Sequence, residues 1–479
     1  MEQKINKSLK PDTSTMVSYK KPVLFMSAST GWAVRNFFQT GIVDKLKRDF
    51  QIVVFAPPQI KEGIINQGYG DDLIFIVLNN LREPLSWRLF RQLKKKIYFE
   101  SRESTTEAIW EKHTKRSFYK KVGGKIVGAL LKAFKATTLL NLIETIDLKI
   151  NKSSKLSKEF ILYKPAIFFA THASSFFEEL LLRSAVMHNI PIVFMVLSWD
   201  HLSSKIVLSK KYHSIFVWNK LTKSEILQTY PFYKDEQIKV VGVPQYDIYK
   251  EKSKISYSEW CQKYGLDPNR KTILFSTMPQ VRHSEQHIIL ENLLKTIVEG
   301  KFLPNNLQVL IKCHPFDDSN KYDFLLGKYP ISIYKSTLPP GLPFEYWIPR
   351  KEEMYIARDS LYFCDININI FSTVTLEAAF FDKPIIHIAF DPHLVKNRIP
   401  CKEYYNFEHF KNITKMKAAK MVYSFEDLYK AINDYLKNPN LNNKERKDLV
   451  RTYFNIQPGL ASDNVVKELV NLKNTLVNN

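Results

Sequence analysis

Residues 307–315 read LQVLIKCHP, and residues 365–388 read DININIFSTVTLEAAFFDKPIIHI. Apart from Gln308, the first stretch is apolar from Leu307 to Ile311, as a strand covered on both faces by helices would be. Pro315 biases His314 toward an extended backbone and ends the strand there. The second stretch predicts a strand from Ile366 to Phe371, a break at Ser372-Thr373, a helix from Val374 to Phe381 and a strand from Pro384 to Ile388. Strand, turn, helix and strand in this order are the unit of a parallel α/β sheet, where ligands bind beyond the carboxyl ends of strands. Ser372 or Thr373 would cap the helix, whose free N–H groups and dipole favour an anion. With Lys312 and His314 at the neighbouring strand tip, the two stretches predict a clamp for a diphosphate.

The rest of the chain divides around that clamp. At 479 residues it is too long for one core. Residues 1–20 are a polar tail without the apolar stretch of a secretory signal. Residues 21–250 alternate strand and helix and predict one Rossmann-like domain, 251–271 a polar linker, 272–430 a second such domain and 431–479 terminal helices. Two α/β domains with polar strand-end loops place a cleft between facing sheets. No apolar run approaches the ~20 residues of a membrane span. The four cysteines, Cys261, Cys313, Cys364 and Cys401, form no CxxC pair, which supports neither a zinc site nor a disulfide framework and fits a reducing cytoplasm.

The formal net charge of +22 favours an anionic partner. Much of it lies in residues 82–135, where fifteen Lys and Arg face five Glu. This is the core of a helical basic insertion spanning 82–150. Phe118, Val122, Ile126, Leu130 and Phe134 recur every four residues, with Lys120, Lys121, Lys125, Lys132 and Lys135 largely opposite, despite Gly123, Gly124 and Gly128. An amphipathic basic helix of this kind suits an anionic membrane surface or an acidic acceptor; a solvated helical face is the plain alternative. No recognisable RNA-binding motif is present, so nucleic acid is not expected.

Further candidates sit at other strand ends. In the second domain, Ser276, Thr277 and Arg282 follow the first strand, and Arg282 could pair with phosphate through two N–H groups. Glu377, one turn into the capped helix, could reach a ribose hydroxyl or complement the helix dipole. In the first domain, Gly31 permits close backbone approach, and Arg35 and Asn36 could line the acceptor side. Asp200 in SWDHLSSK is the leading general base for a hydroxyl acceptor, with His172 in THASS as its rival; Glu178 and Glu179 rank lower on the adjoining helix. Walker A, GxGxxG, HExxH, GxSxG and DxD patterns are all absent, so no metal or other cofactor is expected.

The KCHP motif followed by DININIFSTVTLEAAFFDKP resembles the donor half of bacterial GT-B glycosyltransferase-like enzymes with a His-Pro and a later Ser-Ser/Thr motif. These include sialyl- and Kdo-transferases and the CDP-glycerol glycerophosphotransferases of teichoic acid synthesis. SWDHLSSK, VWN and VVGVPQYD resemble the end of the first domain in surface-polysaccharide enzymes of this group. The Asp/Glu-Asp/Glu-Gly motif of sialyltransferases has no match, since Gly70-Asp71-Asp72 runs in the wrong order.

The resemblance implies two facing Rossmann-like domains and a nucleotide held by the second. It implies that His314, Ser372 and Thr373 contact donor phosphate, and that a first-domain base serves the acceptor. The expected function is metal-independent transfer of a sugar from a nucleotide-activated donor to a hydroxyl of a surface polysaccharide or lipid-linked glycan. A CDP-glycerol-type polyol-phosphate transferase is the alternative; a sugar-nucleotide 2-epimerase would leave the basic insertion without a use. A non-catalytic basic binder is the alternative of a different class. The Lys-, Asn- and Ile-rich composition hints at a bacterial source, and the expected location is cytoplasmic, peripheral on the inner face of the membrane.

Overall fold

The computed structural model describes residues 19–113, 127–172, 175–335, 338–339, 341–393 and 398–477. Two parallel sheets form its centre. The first contains β1 (Val23–Ser27), β2 (Gln51–Ala56), β3 (Ile74–Val77), β4 (Ile167–Ala170), β5 (Ile192–Met195), β6 (Ser214–Val217) and β7 (Ile238–Val240), in the order β3-β2-β1-β4-β5-β6-β7. The second contains β8 (Lys271–Ser276), β9 (Leu307–Lys312), β10 (Ile331–Tyr334), β11 (Ile366–Asn369), β12 (Ile385–Ile388) and β13 (Lys420–Val422), in the order β10-β9-β8-β11-β12-β13. In each sheet the order reverses once, between β1 and β4 and between β8 and β11, and such switch points are where open α/β sheets bind ligands. The helices on both faces explain the apolar central strands: β1, β4, β5 and β6 are buried along their whole length. This is the expected α/β architecture of two Rossmann-like domains.

Three features depart from the sequence reading. The linker contains a helix, Tyr257–Tyr264, started by a reciprocal cap between Ser256 and Glu259 and anchored by the fully buried Trp260. A short edge strand, β13, follows β12 within a region for which the sequence reading marked no further strand. The terminal helix Ala461–Val477 crosses back to the first domain, where Val465 and Leu469 join the core built on Leu24, Phe37 and Val54. Lys45–Asp463 (2.6 Å) and Lys473–Asp49 (2.8 Å) border that contact.

The domains also meet at both rims of the cleft. At one rim, an added Cβ on Gly31 would stand 1.8 Å from the Trp347 carbonyl oxygen, and Gln39 donates to the Pro349 carbonyl at 2.6 Å. The close approach expected at Gly31 is thus to protein backbone of the other domain. At the other rim, the basic insertion supplies the contact. Its helices Leu85–Ser101 and Ala136–Ile150 lie on the first domain, while Ile109 and Trp110 of the helix Thr105–His113 pack on the core of the second. Arg102 bridges Glu225 and Glu408, Lys112 and His113 hold Glu403, and the Thr106 hydroxyl accepts from the Glu408 N–H. Part of the insertion's charge therefore ties the two domains together. The amphipathic pattern through Phe118, Val122 and Ile126, with Lys120, Lys121 and Lys125, lies outside the described residues. Of the same pattern, Leu130 packs on the core and Phe134 is exposed.

Candidate active site in the interdomain cleft

The donor-side residues converge at the carboxyl ends of β8, β9 and β11. The Thr277 hydroxyl accepts the His314 backbone N–H at 2.8 Å, which fixes the tip of β9 against β8. The Phe316 backbone N–H donates to His314 Nδ1 at 3.0 Å. An accepting Nδ1 assigns the ring proton to Nε2, so His314 presents a donor away from its own turn. Burial, with Lys312 and Arg282 alongside, lowers the His314 pKa to about 3, so the ring is neutral. His314 and Lys312 each keep part of their surface open, as floor residues of a cleft do. Burial also lowers the pKa of Lys312; Glu377 opposes that shift and Arg35 adds to it.

Arg282 stacks over Trp110 (5.3 Å) and Tyr404 (5.7 Å), and its Nη1 is buried with no hydrogen-bond partner among the described residues. Arg35 stacks over Trp32 at 5.2 Å, and its Nε is buried in the same condition. Three cations, Arg35, Lys312 and Arg282, thus face the floor of the cleft from two domains. Glu377 stands among them; of the two roles open to it, ribose contact would compete with the hydroxyls of Tyr249 and Tyr246, from which its carboxylate accepts. Asn36 is also committed elsewhere; it is buried and its Nδ2 donates to the Trp32 carbonyl at 2.9 Å.

Ser372 and Thr373 follow β11 at the switch point. The Ser372 hydroxyl accepts from Val374 N–H at 3.3 Å, while Thr373 makes no side-chain cap bond, and the helix they start is short, Val374–Phe380. Phe371 before them holds a left-handed backbone (φ 44°), costly for a bulky residue. Its N–H donates to the Tyr405 hydroxyl at 3.1 Å. Beneath the turn runs a buried chain of polar contacts. Asn369 Nδ2 donates to Asn367 Oδ1 (2.8 Å), Asn367 Nδ2 to Ser276 (3.2 Å), and the Thr375 hydroxyl bonds His387 Nε2 (2.8 Å). That network explains asparagines at alternate positions of an otherwise apolar strand.

On the first domain, Asp200 is bound on both oxygens, by the Ser198 hydroxyl (2.5 Å) and by Lys205 Nζ (2.7 Å). Burial raises its pKa, but Lys205 and the nearby His201 and His409 outweigh burial and hold the carboxyl well below the usual range. Such a carboxylate is a weak proton acceptor, which counts against the role expected of it. His172 and His201 stand at the same end of the sheet, ring centres 6.0 Å apart, both neutral with burial lowering their pKa to about 4 and about 3. Glu178 accepts from the Ser29 hydroxyl at 2.9 Å, and burial raises its pKa to about 8, so it carries a proton at neutrality.

Two residues that the sequence did not mark complete the cleft. His409 lies across from Asp200, its Nδ1 3.1 Å from the Ser203 hydroxyl and its ring 5.0 Å from Trp199. Trp110 reaches Arg282 from the basic insertion. Neither has a local signal, since each arrives through a tertiary contact between domains.

Comparison with known proteins decides the family. A model of the CDP-Glycerol:Poly(glycerophosphate) glycerophosphotransferase family matches residues 196–471, more than half of the chain. The chain belongs to this glycerophosphotransferase family. The matched region begins just before Asp200 and takes in the entire second sheet. Solved structures share the fold at low identity. The UDP-GlcNAc 2-epimerase from Neisseria meningitidis bound to UDP-GlcNAc aligns with a TM-score of 0.53 at 13% identity, covering 94% of this chain and 99% of that one. A histidine-to-asparagine variant of the wall teichoic acid polymerase TagF soaked with CDPG aligns with a TM-score of 0.51 at 10% identity, covering 97% and 91%. No curated protein matches the chain in sequence. Membership of the glycerophosphotransferase family makes the protein a transferase that uses a nucleotide-activated donor.

Proposed function

We propose that the protein transfers a polyol phosphate from a cytidine-diphosphate-activated donor to a hydroxyl of a cell-surface polymer or its lipid-linked precursor. The observation that carries this is neutral His314 with Arg282 near enough to act on its charge, the buried Nη1 of Arg282 having no partner among the described residues. Family membership favours the polyol phosphate over a sugar. In the proposed step the acceptor oxygen attacks the phosphorus that carries the polyol. The bond from that phosphorus to the bridging oxygen breaks, and CMP leaves with the electron pair. His172 takes the hydroxyl proton. Arg282, Lys312 and Arg35 balance the diphosphate charge, with Ser372 and Thr373 as phosphate contacts, so no divalent metal is needed for the step. Sugar transfer from UDP- or GDP-sugars would use the same clamp but break the bond at the sugar carbon and release a nucleoside diphosphate.

By-product analysis without added magnesium separates these. With CDP-glycerol and a polyol-phosphate primer, CMP and a new phosphodiester are expected in equal amounts. Turnover confined to UDP- or GDP-sugars, with UDP or GDP released, would overturn the polyol-phosphate assignment.

We further propose that the protein works at the cytoplasmic face of the membrane as a peripheral enzyme. No helix among the described residues is long and apolar enough to cross a bilayer. The first and third helices of the insertion, tied by Ser86–Asn151 (2.8 Å) and Lys94–Asp147 (3.0 Å), expose Leu85, Leu89, Leu142, Ile146 and Ile150. Arg82, Lys149, Lys152 and Lys155 are exposed on the same pair of helices and the chain adjoining them. Apolar side chains ringed by cations suit an anionic bilayer. Sedimentation with vesicles containing phosphatidylglycerol should capture the protein. Leu89→Glu combined with Ile146→Glu should reduce capture by about tenfold or more, given the cost of burying a charge. Equal capture by neutral vesicles would count against the charge component.

A further inference from the structure

A cluster outside the clamp joins two strand-end loops of the second domain. His283 follows β8, next to Arg282, and has no exposed surface. Neither ring nitrogen has a hydrogen-bond partner among the described residues. Asp391 follows β12, and Cys401 opens the short helix Cys401–Tyr404. One ligating atom from each of His283, Asp391 and Cys401 lies within 4.8 Å of the other two. His283 Nε2 faces Asp391 Oδ1 at 3.9 Å, while Nδ1 faces Glu285 Oε2 at 3.6 Å. These separations are too long for hydrogen bonds, so a fully buried imidazole is left unsatisfied by its two carboxylate neighbours.

We propose that His283 Nε2, an Asp391 carboxylate oxygen and Cys401 Sγ hold a zinc ion that pins the β8 loop to the β12 loop. Imidazole, carboxylate and thiolate are the zinc donor set, and ligand atoms around tetrahedral zinc stand somewhat closer than those seen here, so a small inward movement closes the site. One coordination position is left for water. Glu285 would accept a hydrogen bond from Nδ1–H, as the outer carboxylate that orients a ligating histidine does. Burial and Asp391 raise the Cys401 thiol pKa; zinc would displace that proton to solvent.

Charge supports the assignment. Among the described residues, Arg398 contacts both Asp391 and Glu285, so without an ion these three side chains carry one net negative charge. A zinc ion with the Cys401 thiolate makes the same cluster neutral. Because His283 adjoins Arg282, the ion would anchor the donor clamp without touching the reacting atoms.

The test is metal content of the full chain, purified without chelator from zinc-supplemented medium. About one zinc per chain is expected by elemental analysis. Cobalt(II) exchanged into the wild type should show a thiolate-to-metal charge-transfer band, lost in Cys401→Ser, and His283→Gln should lose most of the bound metal. Substoichiometric zinc in the wild type, together with no thiolate–cobalt band after cobalt is added, would overturn the proposal. Those two measurements need no variant, so a substitution that fails to fold leaves the result decisive. They also need no turnover, so they stand apart from the donor assignment.

Discussion

His314→Ala is expected to lower kcat by about 10²–10³-fold while shifting the melting temperature by only a few degrees. The first figure follows from preorganisation. Phe316 N–H holds Nδ1 and Thr277 holds the backbone N–H, so Nε2–H is aimed before the donor arrives. The ring is neutral, hence it donates a hydrogen bond rather than pairing as an ion, and it strengthens most where phosphate charge accumulates as CMP departs. The second figure follows from exposure. His314 is half-buried, its ring stacks loosely on Phe316 and Phe344 (5.9 and 6.3 Å), and Thr277 bonds its backbone, which alanine retains. Steady-state kinetics and a melting curve on the same preparation decide it. A rise in KM with kcat intact would reassign His314 to ground-state binding.

The residues behind that expectation were legible because they are local. A buried run ending Lys-Cys-His-Pro can be read as a strand with a polar tip, and β9 ends at Lys312. The break at Ser372-Thr373 was legible for the same reason, although the left-handed Phe371 was not. Other features had a local signal that polarity masked. The Ser256–Glu259 cap is a plain S-x-x-E pattern, yet the surrounding lysines made residues 251–271 read as linker. What remained hidden depends on long-range contact. Glu377 could have served ribose until two tyrosine hydroxyls from Pro244–Lys250 were seen to claim it. Asp200 had the right residue type in the right loop, and only Lys205 folding back on it shows why its basicity is low. The cluster of His283, Asp391 and Cys401 spans more than a hundred residues with no spacing rule to flag it.

The largest stability effect expected is acid unfolding, with a midpoint between about pH 4 and 5. Five histidines outside the His283 cluster are held neutral by the fold. Burial is the leading cause at each, and at His387 the whole cause; the pKa falls to about 3 at His201, His314 and His387, and to about 4 at His172 and His409. In the unfolded chain each titrates near 6.5. Between these values the unfolded state binds protons that the native state refuses, so stability is full above pH 6.5 and is lost as pH falls toward 4. Three carboxyls work the other way. Burial raises the pKa of Glu178 to about 8 and also raises Glu179 and Glu225, so their native forms keep protons that the unfolded chain has released. Near pH 5, where the unfolded histidines are almost all charged, five against three leaves a surplus of about two protons on the unfolded side, or roughly 2.7 kcal/mol per pH unit. Across the roughly two pH units in which that surplus acts, the loss is about 5 kcal/mol, which is the whole of a stability at the lower end of the ~5–15 kcal/mol range. Denaturant melts at pH 7, 6 and 5 would read it directly. A stability unchanged from pH 7 to pH 5 would mean that these histidines are charged in the native cleft, and the neutral donor assigned to His314 would fall with them.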